Sequence, residues 1–313
     1  MSGLAIIVPV FNRIEYTKKF IECLKKNTYK AWTLFIVNDG STDGTGQLLK
    51  DISTEIDPEA QVTMKDRAIY HINGDGTWWW TKSANKAVQV ALRSGSHQIL
   101  TQNNDVEIPQ DYLERVMEAH HIKPRAIITA PIFDLNTGVC LEDGGGVRRD
   151  WIKAKDIKLP KLDDIVDGKN YIDSQDEVWR ELTHSGGRGC LIPAEIFSEI
   201  GLYDEIKLPQ YQADDDLTFR AARNGYPVFM YLKTFCLTPT EETGLTAFIS
   251  NRSWDSFLGY LTSQKSPANI RRRMWITMRH CRPRWYAPVS FLLDIIRVCI
   301  SYWIKTGRVT YTK

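Results

Sequence analysis

Asn103-Asn104-Asp105 and Ala213-Asp214-Asp215-Asp216 are two places in this chain where side-chain oxygens cluster. Asparagine and aspartate oxygens suit a hard cation such as Mg2+ or Mn2+, and such a cation binds a diphosphate. Asp105, at the carboxyl end of the apolar run 99–101, is the candidate carboxylate, with Asn103 beside it. The plain alternative is a turn, since both residue types are common there. The helix dipole accounts for one or two of the three adjacent aspartates at a helix start. A third beside a cleft is a candidate general base, because neighbouring carboxylates raise one another's proton affinity. The cluster by itself leaves open which of Asp214, Asp215 and Asp216 that is.

Two further segments end in turn residues. Val8-Pro9-Val10-Phe11-Asn12-Arg13 closes one apolar run, and Val37-Asn38-Asp39-Gly40-Ser41-Thr42-Asp43 closes the next. Asp39 could accept hydrogen bonds from a base or ribose, and Gly40 lets backbone approach a ligand. A plain strand-to-helix turn with a Ser or Thr cap explains either segment alone. Gly74-Asp75-Gly76-Thr77 leads into Trp78-Trp79-Trp80 and Lys82. Three consecutive tryptophans cannot all face one core, so at least one is expected to line a cavity and stack on a sugar or base. Lys82 could offer charge to a phosphate. No Gly-x-Gly-x-x-Gly follows a strand and no Gly-x-x-x-x-Gly-Lys-Ser/Thr occurs, which argues against dinucleotide and P-loop folds.

The elements that must position these residues alternate. Leu4–Val8, Thr33–Val37, Ala68–Ile72 and Ile99–Thr101 read as strands. Tyr16, Phe20 and Leu24 share one helical face, Thr42–Ile52 reads as a second helix and Lys82–Leu92 as a third. Such alternation predicts a mainly parallel sheet covered on both sides. Ligands bind such sheets at the carboxyl ends of the strands, where all these motifs fall. Residues 134–176 are polar and rich in Gly and Asp, and read as an insertion or mobile loop. Leu191-Ile192 and Val228–Tyr231 restore strand character, and the chain from about Thr238 reads as helical and basic.

The apolar fraction is 43%, which suits a globular chain with a real core. A net charge of +2 hides an asymmetry: residues 265–313 hold 11 Lys and Arg against one acid, Asp294. The rest holds 29 basic and 37 acidic residues. An acidic body argues against nucleic acid as partner, while a basic tail suits an anionic surface. Arg271, Arg272, Arg273, Arg279, Arg282 and Arg284 interleave with Met274, Trp275 and Trp285. Beyond them Ser290, Asp294, Arg297 and Ser301 form a narrow polar stripe beside a broad apolar face. This suits a helix lying in a membrane interface. The alternative is a helix docked on the catalytic body or on a second copy of the chain, a homodimer. No run of 18 apolar, charge-free residues occurs, so no spanning helix is expected. Six scattered cysteines show no zinc or disulfide pattern and no signal peptide is evident, so a cytosolic location is expected.

Taken in order, Pro9 to Arg13, Val37 to Asp43, Asn103 to Asp105, Gly187 to Pro193, Ile200 to Glu205 and Leu208 to Arg220 resemble the family 2 glycosyltransferases. The resemblance spans about residues 3–235 and is nearest the bacterial cell-surface polysaccharide, rhamnosyltransferase-like branch, which builds O-antigen and capsule. It implies a GT-A fold over residues 1–237, with a helical, basic region over 238–313. It implies an inverting, metal-dependent transferase, with the donor a UDP- or dTDP-sugar. The acceptor is a glycan or undecaprenyl-linked hydroxyl, and the enzyme sits peripherally on the inner face of the cell membrane. On this resemblance Pro9, Phe11, Asn12, Arg13, Asp39 and Gly40 contact the nucleotide, with Trp80, Lys82, Asn104 and Arg188 as further donor contacts. Asp105 matches the last Asp of the Asp-x-Asp metal motif, Asp214 the catalytic base, and Arg220 an arginine of structural or phosphate-binding role. Asn103 replaces the first Asp of that motif, and Phe235–Pro239 lacks the histidine some relatives use for metal.

Two other classes compete. A nucleotidyltransferase also builds a metal site on an α/β sheet, but it wants a Gly-rich basic loop where Phe11-Asn12-Arg13 stands. A non-catalytic sugar-binding protein would explain the tryptophans but not the Asp214 segment.

Overall fold

The computed structural model describes residues 3–141, 146–160, 162–165, 177–239 and 253–305. β1 (Leu4–Val10) and β2 (Trp32–Asn38) are buried along almost their whole length. Their side chains alternate between two cores. Ala5, Ile7, Phe35 and Val37 enter one; Leu4, Ile6, Val8, Leu34 and Ile36 enter the other. A period of two with apolar residues on both faces is what a strand covered on both sides requires. α1 (Ile14–Lys26) supplies Phe20, Ile21 and Leu24 to the second core, and α3 (Trp79–Arg93) supplies Ala84, Ala87 and Val88 to the first. α4 (Tyr112–Ile122) adds Leu113 and Val116 to the second.

Among the described residues the main sheet has nine strands. They are β1, β2, β3 (Thr54–Glu55), β4 (Ala68–Asn73), β5 (Gln98–Thr101), β6 (Ile127–Thr129), β10 (Trp179–Leu182), β11 (Cys190–Pro193) and β12 (Val228–Tyr231). Their order is β10-β12-β6-β11-β5-β1-β2-β4-β3. The sheet is mainly parallel, as expected, with β11 and β10 running against their neighbours. Val10 lies opposite Asn38 and Asn38 opposite Asn73, while Ile7 lies opposite Thr101. The carboxyl ends of β1, β2, β4 and β5 therefore open on one edge.

α2 (Thr45–Ile52) begins three residues later than the sequence predicts. Thr42 and Asp43 are taken up by the neighbouring turn instead. The Thr42 amide donates to Asn12 Oδ1 at 2.8 Å, and Asp43 Oδ2 accepts the first amide of α1 from Ile14 at 2.8 Å. The polar middle region is partly regular: β8 (Val147–Asp150) and β9 (Lys155–Lys158) form an antiparallel pair, and β7 (Ile132–Asp134) pairs with β13 (Cys236–Thr238). Residues 142–145, 161 and 166–176 of that region lie outside the described residues.

Past β11 come α5 (Ala194–Ile200) and α6 (Ala213–Arg223). The tail holds α7 (Trp254–Thr262), α8 (Ile270–His280), a short 3-10 turn at Arg284–Tyr286 and α9 (Ala287–Lys305). Residues 240–252 and 306–313 of the expected helical region lie outside the described residues. Half of the arginines expected to face lipid are tied up in contacts within the protein. Arg272 is 2% exposed, Arg273 pairs with Asp294 at 2.6 Å, and Arg279 pairs with Asp204 at 3.2 Å and Asp216 at 3.1 Å. Arg271, Arg282 and Arg284 are exposed.

α9 is turned inside out. Ser290 and Asp294 of its polar stripe are buried, with Val298 and Tyr302 continuing the buried line at spacing four. Leu292, Ile296, Ile300 and Ile304 are exposed. By length and composition alone, Arg284–Ile304 is a helix long and apolar enough to cross a membrane. The expectation of no spanning helix rested on its charges, and Asp294 binds Arg273 and, at 3.3 Å, Arg149 of the body. That face rests on protein.

Candidate active site

A cavity of about 610 Å3 opens at the carboxyl ends of these strands. Its size is that of a small-molecule site. Pro9, Phe11, Arg13, Asp39, Asn103, Asn104, Asp105, Trp80 and Arg188, all singled out in the sequence, line it.

Its floor is set by hydrogen bonds between turns. Asn12 and Arg13 both have left-handed backbone, φ 60° and 64°. The Asn12 amide donates to Ser41 Oγ at 2.8 Å, and its carbonyl oxygen holds Thr42, so Asn12 locks two turns together rather than lining the cavity. Arg13 reaches across to Asp105 and donates to its Oδ2 at 2.9 Å. Asp39 is buried, and its two oxygens accept the amides of Gly76 and Trp79, each at 2.9 Å. Each carboxylate oxygen keeps a second lone-pair direction for a ligand. Gly40 has φ 73°, and a Cβ there would fall 2.8 Å from the Gly76 Cα. Its role is to let two loops touch.

The three tryptophans divide. Trp78 packs against the core, while Trp79 and Trp80 line the cavity. Trp80 Nε1 donates to Asn103 Oδ1 at 3.2 Å, which fixes both the ring and the amide. Lys82, expected to face phosphate, has its ammonium 5.1 Å from the Trp78 ring centroid and is not among the cavity-lining residues. It lies three residues beyond Trp79 in α3, and the attraction of its charge for the indole face turns it away. The Asn104 amide donates to Thr17 Oγ1 at 3.0 Å, tying the triplet to α1.

The three aspartates of α6 have different fates. Asp214 Oδ2 accepts the Gly187 amide at 2.6 Å, and Oδ1 accepts the Asp215 amide at 3.0 Å. A Cβ on Gly187 would lie 3.0 Å from the Trp80 ring and 3.4 Å from Asp214 Oδ2, so the glycine brings the carboxylate against the cavity wall. Burial pushes the Asp214 carboxyl above the usual carboxylate range, against the pull of the two amides and the charge of Arg188. Asp215 faces His184 at 3.9 Å, across a smaller polar cavity. Asp216 is fully buried and accepts Arg220 Nε at 2.8 Å and His280 Nε2 at 2.8 Å. Burial would raise its carboxyl, but the His280 hydrogen bond and the charges of Arg220 and Arg279 outweigh it and hold it below the usual range. Asp216 is buried among these partners and does not line the cavity, and Arg220 also donates to the carbonyls of Ile200 at 2.6 Å and Leu202 at 2.8 Å, a structural set of contacts.

The residues around Asp105 fit a hard cation. Asp105 Oδ1 is buried with no hydrogen-bond partner, although it lines the cavity. Asn103, whose Oδ1 accepts Trp80 Nε1, lines the same cavity. No group of three or more His, Cys, Asp or Glu suited to a metal occurs among the described residues. A cation here would therefore depend on ligand oxygens for most of its shell.

Sequence reasoning gave no role to several lining residues, among them Ser83, Gln210, Tyr211 and Lys265. Gln210 and Tyr211 fall within the Leu208 to Arg220 segment; Gln210 Oε1 accepts the Trp80 amide at 3.1 Å. Lys265 comes from the tail and lines the same cavity. Nothing in its local sequence signals that.

The glycosyl transferase family 2 model matches residues 5–142. The succinoglycan biosynthesis protein ExoA of Rhizobium meliloti is 22% identical over 324 residues, 97% of this chain and 86% of ExoA. Glycosyltransferase GlyA of Streptococcus pneumoniae serotype 4 is 30% identical over 111 residues, 36% of this chain but only 14% of GlyA. Among solved structures, S. aureus TarS 1–349 superposes with TM-score 0.57 at 12% identity, covering 98% of this chain and 92% of that one. The mannosyltransferase PcManGT from Pyrobaculum calidifontis, in complex with GDP-Man and Mn2+, gives 0.56 at 12% identity, over 97% and 72%. At such identity the likeness concerns fold, and the fold is GT-A.

Proposed function

We propose, from the match of residues 5–142 to the glycosyl transferase family 2 model, that this chain moves a sugar from a nucleoside-diphosphate-sugar to an acceptor hydroxyl with inversion. The observation that carries this is Asp214, a carboxylate of raised proton affinity held against the wall of the cavity that Asp39 and Asp105 line. The acceptor oxygen loses its proton to Asp214 as it bonds to the anomeric carbon. The bond from that carbon to the diphosphate breaks on the opposite side, and its electrons leave with the diphosphate. Asp39 and the Trp79 and Trp80 rings orient the nucleoside and sugar. Asp105 with Asn103 would hold Mg2+ or Mn2+, which supplies Lewis-acid stabilisation of the leaving diphosphate.

TarS 1–349 has been solved with UDP and PcManGT with GDP-Man, which supports a nucleotide-sugar donor and widens the expected UDP or dTDP to include GDP. The likeness to a succinoglycan biosynthesis protein over 97% of the chain supports a role in cell-surface polysaccharide. The exposed apolar face of α9, with Trp254, Trp285 and Trp303 exposed, supports peripheral membrane contact by the tail and a lipid-linked acceptor.

Asp214→Asn tests the central role. Transfer is lost while calorimetric binding of the nucleoside diphosphate survives. Near-normal turnover would remove Asp214 from the chemistry. Product identity separates the competing reading: pyrophosphate in place of a nucleoside diphosphate would make the chain a nucleotidyltransferase.

A further inference from the structure

The uncommitted charge in the cavity is positive. Arg13, Arg188 and Lys265 line it together with Asp39 and Asp105. Asp105 is paired with Arg13, and Asp39, which holds two loop amides, leaves the lining with one positive charge in excess. Arg188 acts on Asp214 through its charge without a close ion pair, and Lys265 has no ion-pair partner among the described residues. Such a site is built for an anion larger than one carboxylate.

Lys265 does not reach the cavity on a loose loop. It sits in the turn between α7 and α8, which side chains fasten from below. Asn269 Nδ2 donates to the Thr262 carbonyl at 2.8 Å, and Ser266 Oγ donates to Tyr260 O at 2.5 Å. Arg272, 2% exposed, donates from Nη2 to the carbonyls of Gln264 at 3.1 Å and Ser266 at 2.5 Å, the two residues flanking Lys265. The Arg272 guanidinium carbon stands 5.3 Å from the ring centroid of Tyr211, itself a cavity wall. One buried guanidinium thus ties the backbone on both sides of Lys265 to the wall of the cavity. An exposed lysine usually serves only solvation. A lysine whose backbone is anchored this way loses less entropy when its ammonium binds phosphate as a point charge.

We propose that Lys265 binds a phosphate oxygen of the donor's diphosphate, so that the tail completes the donor site. This rests on the donor reading above. The expected result is specific to phosphate. Calorimetry on the full chain would compare UDP, GDP and dTDP with their nucleosides at low salt. Lys265→Gln weakens the tightest of the three diphosphates about tenfold, from loss of one charged hydrogen bond, and leaves its nucleoside unchanged. Lys265→Arg keeps most of the affinity. Diphosphate affinity unchanged in Lys265→Gln overturns the assignment while the donor reading stands. So does a loss shared equally by the nucleoside, or one confined to the acceptor KM. If the intact chain binds none of the three diphosphates, the donor reading falls and Lys265 with it.

Discussion

Asp214 works against its own surroundings. Burial favours its neutral form, so its carboxyl titrates above the ordinary aspartate range. A general base must be ionised, so kcat/KM should fall as pH drops through that raised value. The acid limb of the pH profile is expected above about pH 3.9. A limb at or below that value would point to a different base. The linked stability has the opposite sign: protonated Asp214 favours the fold, and that contribution is lost as pH rises through the same value. At this scale the sequence was informative where chemistry and strand position agreed. Asp39 and Asp105, just past strand ends, proved to line the cavity, and Asp214, singled out by the resemblance, lies beside Gly187 against its wall. Lys82 could not be placed in that way, because a spacing in sequence does not tell which of two neighbours, an indole or a phosphate, attracts a flexible cation. Gly40 was read as room for a ligand, and it proved to be room for Gly76.

α6 carries its three aspartates in three directions because consecutive helical positions are about 100° apart. Asp214 points to the cavity wall, Asp215 to the smaller polar cavity, and Asp216 to α8. Asp216 joins Arg220 of its own helix to Arg279 and His280 of α8. Asp216→Asn leaves these partners facing a neutral amide in a buried place. It should cost about 3 kcal/mol in urea unfolding, the usual penalty for breaking one side of a buried ion pair. A loss below about 0.5 kcal/mol, the range of ordinary surface changes, would show that α8 is held by packing alone. The alternation of strand and helix was readable because its periods are local. The pairing of α6 with α8 was not, since residues 64 apart carry no shared period.

Across the whole molecule an acidic body carries a basic tail, but many of the tail's charges serve internal contacts. Membrane attraction should therefore rest on apolar burial as much as on Arg271, Arg282 and Arg284. The intact chain is expected to co-sediment with anionic liposomes. Ile296→Asp with Ile300→Asp, on the exposed face of α9, should abolish this without lowering the melting temperature. Failure of the intact chain to bind would remove the membrane proposal, and a concentration-dependent dimer broken by the same pair would assign that face to a second copy. The inward-facing Asp294 has a geometric consequence. It joins α9 to Arg273 and Arg149, two ion pairs that oppose a roll of the helix against the body. A tail seated on lipid would then act as a fixed stand rather than a tether, holding the mouth of the cavity at one height and one tilt above the bilayer. The reach of the acceptor, not the flexibility of the enzyme, would set which hydroxyls arrive.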